Sequence, residues 1–247
     1  MTTRPTEPEL EAWIEECVAH LRDAEGFDVL SPHANEFLLL YGVIARTVRY
    51  ADAYLVLCRA GYPSEAVTLA RAALEHSITL QWIFIVQDGV DRFRVTAAHD
   101  RIKHYSNLAD WLKNDELAEE LAKLDPPPEG KQLPPFMDMV RNLDQEKFLE
   151  TSYHILSQQV HVTHAAVTSF ITPGEDGELH IQYDQDYGYQ YQATYVTAAA
   201  CMLARWVVAR LTNNTELLNK LDSTSDELLL PMTLLDNVAP AKQRKGL

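Results

Sequence analysis

Cysteine is scarce in this sequence, which holds three cysteines in 247 residues and no CxxC pair. Cys17, Cys58 and Cys201 are widely separated, so reduced thiols are expected rather than disulfides. Long uncharged apolar runs are also missing, because a run such as residues 77–86 is too short to span a bilayer. The first residues show no pattern of a signal peptide. We therefore expect a soluble, cytoplasmic protein.

Positive charge is in short supply as well. The chain has 21 Lys and Arg against 36 Asp and Glu, and its net charge is −15. Such a balance opposes nonspecific attraction to nucleic-acid backbones and to anionic lipid, so neither nonspecific DNA binding nor membrane binding is expected. One local basic cluster could still present a patch to RNA or to a nucleotide. It consists of Arg92, Arg94, Arg101 and Lys103.

Several short catalytic and nucleotide-binding motifs are absent. The sequence contains no HExxH, GxSxG, GxGxxG or P-loop. These patterns mark zinc proteases, serine hydrolases, dinucleotide-binding proteins and P-loop nucleotide-binding proteins, respectively. The sequence therefore predicts no metal and no cofactor.

What the sequence does contain is apolar periodicity close to 3.6 residues, which predicts an all-α fold. Two stretches interrupt this pattern. Residues 125–135 hold five prolines and one glycine and predict an irregular loop, and residues 174–188 predict an acidic loop or a short hairpin. Helices are predicted over residues 8–25, 33–60, 62–86, 90–113, 115–124, 136–143, 146–171, 189–211 and 213–221.

The predicted organisation is a single domain over residues 1–247, a bundle of long antiparallel helices. No repeat and no long linker argues for a second domain. Residues 1–7 are expected to be a frayed arm, and residues 236–247 a flexible basic tail. The segment 62–86 is expected at the centre of the bundle, because it is the longest apolar segment that also carries charge.

That central segment carries the first candidate site. Arg71 and Glu75 lie one helical turn apart, which predicts an ion pair inside the bundle. Arg71 is also followed by His76 in the pattern R-x4-H, and Arg94 by His99. Arg92 and His99 form the related pattern R-x6-H.

The second candidate site lies within the predicted helix 146–171. Spacings of three, four and three residues place four polar side chains on one face of this helix: His154, Ser157, His161 and His164. Histidines so spaced could act as acid and base, or could hold a metal ion. The alternative is a satisfied polar seam between helices.

The R-x4-H and R-x6-H spacings resemble those of ribonucleases of the HEPN superfamily, which are small helical bundles that often act as dimers. The resemblance implies that a histidine transfers protons while a ribose 2′-hydroxyl attacks the neighbouring phosphate, and that an arginine stabilises the charge on phosphate. No metal is needed for this reaction. The catalytic candidates are therefore His161, Arg71, His76 and His99.

A larger pattern covers residues 36–171. The tyrosine-bearing helix around Tyr54, the Gly61 turn, RxxxE at Arg71 and YxxxSxxxH from Tyr153 resemble a bacterial helical family of unknown function, loosely HEPN-like. The resemblance implies an all-helical fold. It further suggests that the RxxxE and SxxxH side chains meet at one place. The resulting candidate ligand-binding residues are Arg71, Glu75, Ser157, His161, His164 and Arg94.

Three functions follow as hypotheses. The first is a metal-independent endoribonuclease or an RNA- or nucleotide-binding protein, possible as a homodimer, in stress or phage defence. The second is a non-catalytic interaction or regulatory protein whose Arg-Glu and Ser-His pairs are structural. The third is a metal-dependent enzyme that uses the face from His154 to His164.

Overall fold

The computed structural model describes residues 4–123, 126–144, 146–174, 177–183 and 187–245. Within these ranges the chain is all-α apart from one two-stranded hairpin, so the predicted fold class is confirmed. In the same ranges no helix combines the length and the apolarity that crossing a membrane requires. The helices are α1 (Glu7–Arg22), α2 (Ala34–Arg59), α3 (Pro63–Ile85), α4 (Gly89–Leu112), α5 (Asp115–Ala122), α6 (Phe136–Leu143), α7 (Phe148–Val160), α8 (His164–Thr168), α9 (Gln190–Leu211) and α10 (Thr215–Leu228).

Helices α3 and α9 form the centre of the molecule. α3 packs against α2, α9, α7, α6 and α4, while α9 also contacts α1 and α10. Both central helices are apolar on more than one face, as a helix surrounded by others must be. The run Ala198–Ala200 in α9 is buried, and small side chains there let neighbouring helices approach closely.

Two glycines set the path into and out of α3. Gly61 has φ +87°, a left-handed conformation that ends α2 and reverses the chain, and Pro63 then begins α3. Gly89 begins α4, and a Cβ atom at that position would lie 2.3 Å from the carbonyl oxygen of Ile83. The two turns therefore make α2, α3 and α4 consecutive neighbours in the bundle.

The predicted helix 146–171 is wrong as a single element. α7 ends at Val160, His161 is extended with φ −100° and ψ 161°, and a short α8 begins at His164. The Thr163 side chain accepts from Ala166 N and caps α8. The break therefore comes from a new N-cap inside an otherwise helical apolar pattern.

A small hairpin follows α8. Strands β1 (Ile171–Pro173) and β2 (Leu179–Ile181) pair antiparallel, with Ile171 opposite Ile181. The hairpin prediction is therefore correct in type, but its first strand begins before residue 174. Residues 175–176 and 184–186 of the predicted loop lie outside the described residues.

The C-terminal segment packs against the bundle, contrary to the expected flexible tail. 3-10 turns at Leu235–Asn237 and Pro240–Lys242 lead to a bridge between Val86 and Gln243. Beyond it, the Arg244 guanidinium holds both carboxylate oxygens of Glu36. The segment is therefore anchored to the start of α2 and the end of α3.

Candidate functional site

Arg71 of α3 is the hub of a polar cluster between α3 and the end of α7. Its Nε donates to Glu75 Oε1 at 3.0 Å, and its Nη2 donates to the Tyr153 hydroxyl at 2.6 Å. Its Nη1 lies 3.1 Å from Nε2 of His161. We call Arg71, Glu75, Tyr153 and His161 the Arg71 cluster. It joins residues up to 90 positions apart in sequence.

The cluster lies at the surface, and its members differ in burial. The Arg71 side chain is 16% exposed and the Glu75 side chain 35%, while His161 is exposed. Because a guanidinium only donates hydrogen bonds, His161 Nε2 must accept from Arg71 and carry no proton in this arrangement. The cluster therefore holds a cation against the lone pair of an accessible imidazole.

Ser157 takes a different role from its neighbours. Its hydroxyl donates to the carbonyl oxygen of Tyr153, one turn earlier in α7, at 2.6 Å. The backbone N–H of His161 in turn donates to the Ser157 carbonyl at 3.2 Å, which closes the last turn of the helix. The structure thus brings Arg71, Glu75 and His161 together, with Ser157 beneath them as part of the helix end.

The remaining catalytic candidates, His76 and His99, and the ligand-binding candidate Arg94 make other contacts. His76 Nδ1 donates to the Ala72 carbonyl at 2.8 Å, and its ring packs edge-on against Tyr50 of α2. Arg94 pairs with Asp91 at 3.1 Å on the surface of α4. His99, one turn further along α4, is half-buried. Among the described residues, no hydrogen bond or ion pair joins these side chains to the Arg71 cluster.

The predicted basic patch is divided over α4. Arg92 donates to the Gln132 carbonyl at 2.9 Å and its guanidinium lies over the Trp82 ring, so it supports the Pro-rich loop. At about 100° per residue, Arg94 and Arg101 share one side of the helix while Lys103 falls on the opposite side. Of the predicted patch, Arg94 and Arg101 therefore remain as two exposed arginines on one side of α4.

The proposed histidine face is also interrupted. His154 is exposed on α7, whereas His164 is the first residue of α8. The expectation that His154, Ser157, His161 and His164 share one helical face is wrong, because the helix ends before the last two. No group of three His, Cys, Asp or Glu side chains suited to a metal ion occurs in the part of the chain that the structure describes.

Tyr153 belongs to the Arg71 cluster, although the sequence analysis named it only as the first position of YxxxSxxxH and not as a site residue. The guanidinium carbon of Arg71 lies over the Tyr153 ring, 4.7 Å from the ring centroid. The same ring packs against Phe136 of α6. The first position of YxxxSxxxH held this signal, because residues 153 and 157 lie on the same face of a helix. Its hydroxyl fixes the guanidinium from the α7 side.

A second polar cluster lines a cleft of about 750 Å³ between α1, α9 and α10. Arg205 is 3% exposed and donates to Glu16 Oε1 at 2.6 Å, and Lys220 contacts the same oxygen at 2.8 Å. Burial raises the pKa of Glu16, but the hydrogen bonds from Arg205 and Lys220 outweigh it and hold that pKa below its usual value. Burial, with the positive charge of Arg205, lowers the pKa of His20 beside them.

The lowered pKa of His20 predicts that the stability of the protein depends on pH. Since the unfolded chain protonates His20 more readily than the folded protein, stability should be unaffected well above the usual histidine pKa, about 6.5, and should fall as pH drops below it. A His20→Asn variant should lose less thermal stability than the parent between pH 7.5 and 5.5, measured by circular dichroism. Equal losses in the two proteins would contradict this linkage. Between pH 7.5 and 8.5 their pH dependences should coincide.

Comparison with known proteins identifies one family. The model of a family of unknown function, DUF5677, matches residues 37–179, more than half of the chain. The matched span contains Arg71, Glu75, Tyr153 and His161. Neither the curated proteins nor the solved structures gave a match. The chain belongs to the family of unknown function DUF5677.

Proposed function

We propose that this protein is a HEPN-like, metal-independent endoribonuclease whose active site is the Arg71 cluster. The observation that carries the proposal is the 3.1 Å contact between Arg71 Nη1 and His161 Nε2 at an accessible surface. An arginine and an imidazole side by side can supply the charge stabilisation and the proton transfer that cleavage through the 2′-hydroxyl uses. We further propose that the protein is cytoplasmic, that it forms a homodimer, as the resemblance implies, and that it serves in stress or phage defence.

The chemistry uses the lone pair of His161 Nε2, which accepts from Arg71 Nη1 before substrate binds. As the 2′-oxygen attacks phosphorus, His161 Nε2 takes the hydroxyl proton, the O2′–P bond forms and the P–O5′ bond breaks. The leaving O5′ takes a proton from water, and the product carries a 2′,3′-cyclic phosphate. Nε2 becomes available when the phosphate draws Arg71 Nη1 away from the imidazole.

Arg71 has donors to spare for the phosphate. A guanidinium carries five N–H groups, and three of them are engaged by Glu75, Tyr153 and His161. Two N–H groups are thus left for phosphoryl oxygens, together with the one that His161 releases. The Tyr153 hydroxyl accepts from Arg71, so its own O–H is free to donate to the same phosphate.

RNA cleavage without metal tests the proposal. Purified protein incubated with a mixed-sequence RNA in EDTA should leave 2′,3′-cyclic phosphate ends. His161→Ala should slow cleavage by about 10²- to 10⁴-fold, the usual contribution of a general acid or base. His76→Ala and His99→Ala serve as matched controls and should cleave at the parental rate. Intact RNA after prolonged incubation would remove the nuclease proposal.

A non-catalytic interaction protein is the second candidate, and the charge around His161 favours it. Residues 148–204 contain no lysine or arginine, which works against binding a polyanion beside the end of α7. In that case Arg71 would serve to fix α7 on α3. His161→Ala and Arg71→Ala would then lower the thermal stability, and the parent protein itself would not cleave RNA.

A further inference from the structure

A mostly apolar cavity of about 340 Å³ lies between α7, α9 and the start of the chain, away from the Arg71 cluster. On α7, Ser152 and Ile155 face this cavity. None of the four residues of the Arg71 cluster lines this cavity, so the two sites are distinct. The apolar walls come from Pro5, Phe148, Ile155, Leu156, Tyr195, Val196 and Leu229.

One cation lies at this cavity, and the structure holds it in place. The guanidinium carbon of Arg4 lies 3.6 Å from the centroid of the Tyr191 ring, and the Tyr191 hydroxyl donates to the Pro5 carbonyl at 3.0 Å. Thr6 N and Oγ1 both donate to Glu9 Oε2 at 2.7 Å, which fixes the chain where it enters α1. Arg4 is therefore positioned before any ligand arrives, which reduces the entropy lost on binding.

Arg4 is exposed and lines this cavity, and it differs from several other arginines of this acidic chain in having no carboxylate partner among the described residues. Arg71, Arg205 and Arg244 each pair with a glutamate. In the ranges that the structure describes, no carboxylate lies within ion-pair distance of Arg4. Two further polar groups at the cavity, the Ser152 hydroxyl and the Gln192 amide, also have no hydrogen bond to a described residue.

We propose that this cavity binds a small apolar carboxylate, with the carboxylate on Arg4 and the hydrocarbon part among the side chains of α7 and α9. An arginine fork matches the two oxygens of a carboxylate, and Ser152 and Gln192 supply additional donors. The volume lies near the lower end of the range for small-molecule sites. The ligand class is therefore a medium-chain or aromatic monocarboxylic acid.

The surrounding charges fix the orientation of the ligand. One wall of the cavity is formed by Phe148, Tyr195 and Leu229, with the Tyr195 hydroxyl donating to the Leu229 carbonyl. The same three residues also line a neighbouring cleft that holds three acids, Asp144, Glu146 and Asp226. A carboxylate against this wall would be repelled by the acids behind it, so the hydrocarbon part packs there and the head group stays at Arg4.

Calorimetric titration with three probes of the same tail tests the proposal. Octanoate should bind the full chain saturably with one site per chain, octan-1-ol at least about tenfold more weakly, and octyltrimethylammonium more weakly still. Equal affinity for octanoate and octan-1-ol would overturn the assignment of Arg4 as the carboxylate partner. No saturable octanoate binding up to millimolar concentration would overturn the site itself.

Three variants assign the binding to this cavity. Arg4→Ala should weaken octanoate by about tenfold or more and leave octan-1-ol unchanged. Ser152→Phe, which fills the cavity, should abolish binding of both. Arg46→Ala is the matched control, because Arg46 also lies over a tyrosine, Tyr50, and does not line this cavity. Thermal melts check that each variant is folded, and an unchanged octanoate affinity in a folded Arg4→Ala protein would refute the proposal. These outcomes do not depend on RNA cleavage.

Discussion

Arg244→Ala should lower the free energy of unfolding by about 3 kcal/mol, because it leaves the Glu36 carboxylate buried without its cation. Glu36 is 7% exposed, and Arg244 holds both of its oxygens. The His33 imidazole also lies near it, with its Nδ1 3.8 Å from Glu36 Oε2. Urea unfolding followed by circular dichroism measures the loss.

A double variant without either charge separates the buried charge from the lost packing. Glu36→Leu combined with Arg244→Met removes both charges and keeps apolar bulk, so it should recover most of the stability that Arg244→Ala loses. Arg22→Ala is the control: its pair with Asp52 is exposed on both sides and should contribute less than about 1 kcal/mol. If Arg244→Ala costs no more than Arg22→Ala, the pair does not anchor the C-terminal segment.

The same pair shows where sequence reasoning stopped. Glu36 and Arg244 are 208 residues apart, and neither lies in a motif or in a periodic pattern that refers to the other. The basic composition of residues 236–247 suggested a solvated tail. A single buried acid at the start of α2 instead draws the tail onto the bundle, and no local rule predicts such a partner.

The core helices were predictable because their signals are local. The apolar period and the turn residues Gly61 and Pro63 placed α2 and α3 within one or two residues of their observed ends. The break after Val160 was not predictable in this way. The apolar period of the segment continues past it, and the Thr163 side chain that caps α8 is one of several threonines with the same potential.

The resemblance predicted that Arg71 and His161 lie close together. The geometry of their contact depends on the break between α7 and α8, which the sequence did not predict. If α7 had continued as a helix, His161 would have remained on the helix face one turn beyond Ser157. The extended conformation at His161 instead turns the chain at the helix end. The imidazole then reaches a guanidinium that is held from the other side by Glu75 and Tyr153.

Arg71→Lys should reduce RNA cleavage by about 10²-fold while the protein stays folded, if the Arg71 cluster is the active site. Lysine keeps the positive charge but loses the planar fork, so it cannot contact Glu75, Tyr153 and His161 at once and still donate to a phosphate. Single-turnover cleavage of a short fluorescent RNA measures the rate. A thermal melt on the same sample measures stability.

The combination of Arg71→Lys with His161→Ala distinguishes a catalytic unit from a structural contact. Groups that act on one transition state are not additive, so the double variant should be little slower than the slower single variant. A structural contact has a different signature: both single variants would lose thermal stability, and neither would cleave RNA more slowly than the His76→Ala control. Parental cleavage rates in a folded Arg71→Lys protein would place the active site elsewhere, because no other described cation contacts the accepting nitrogen of His161.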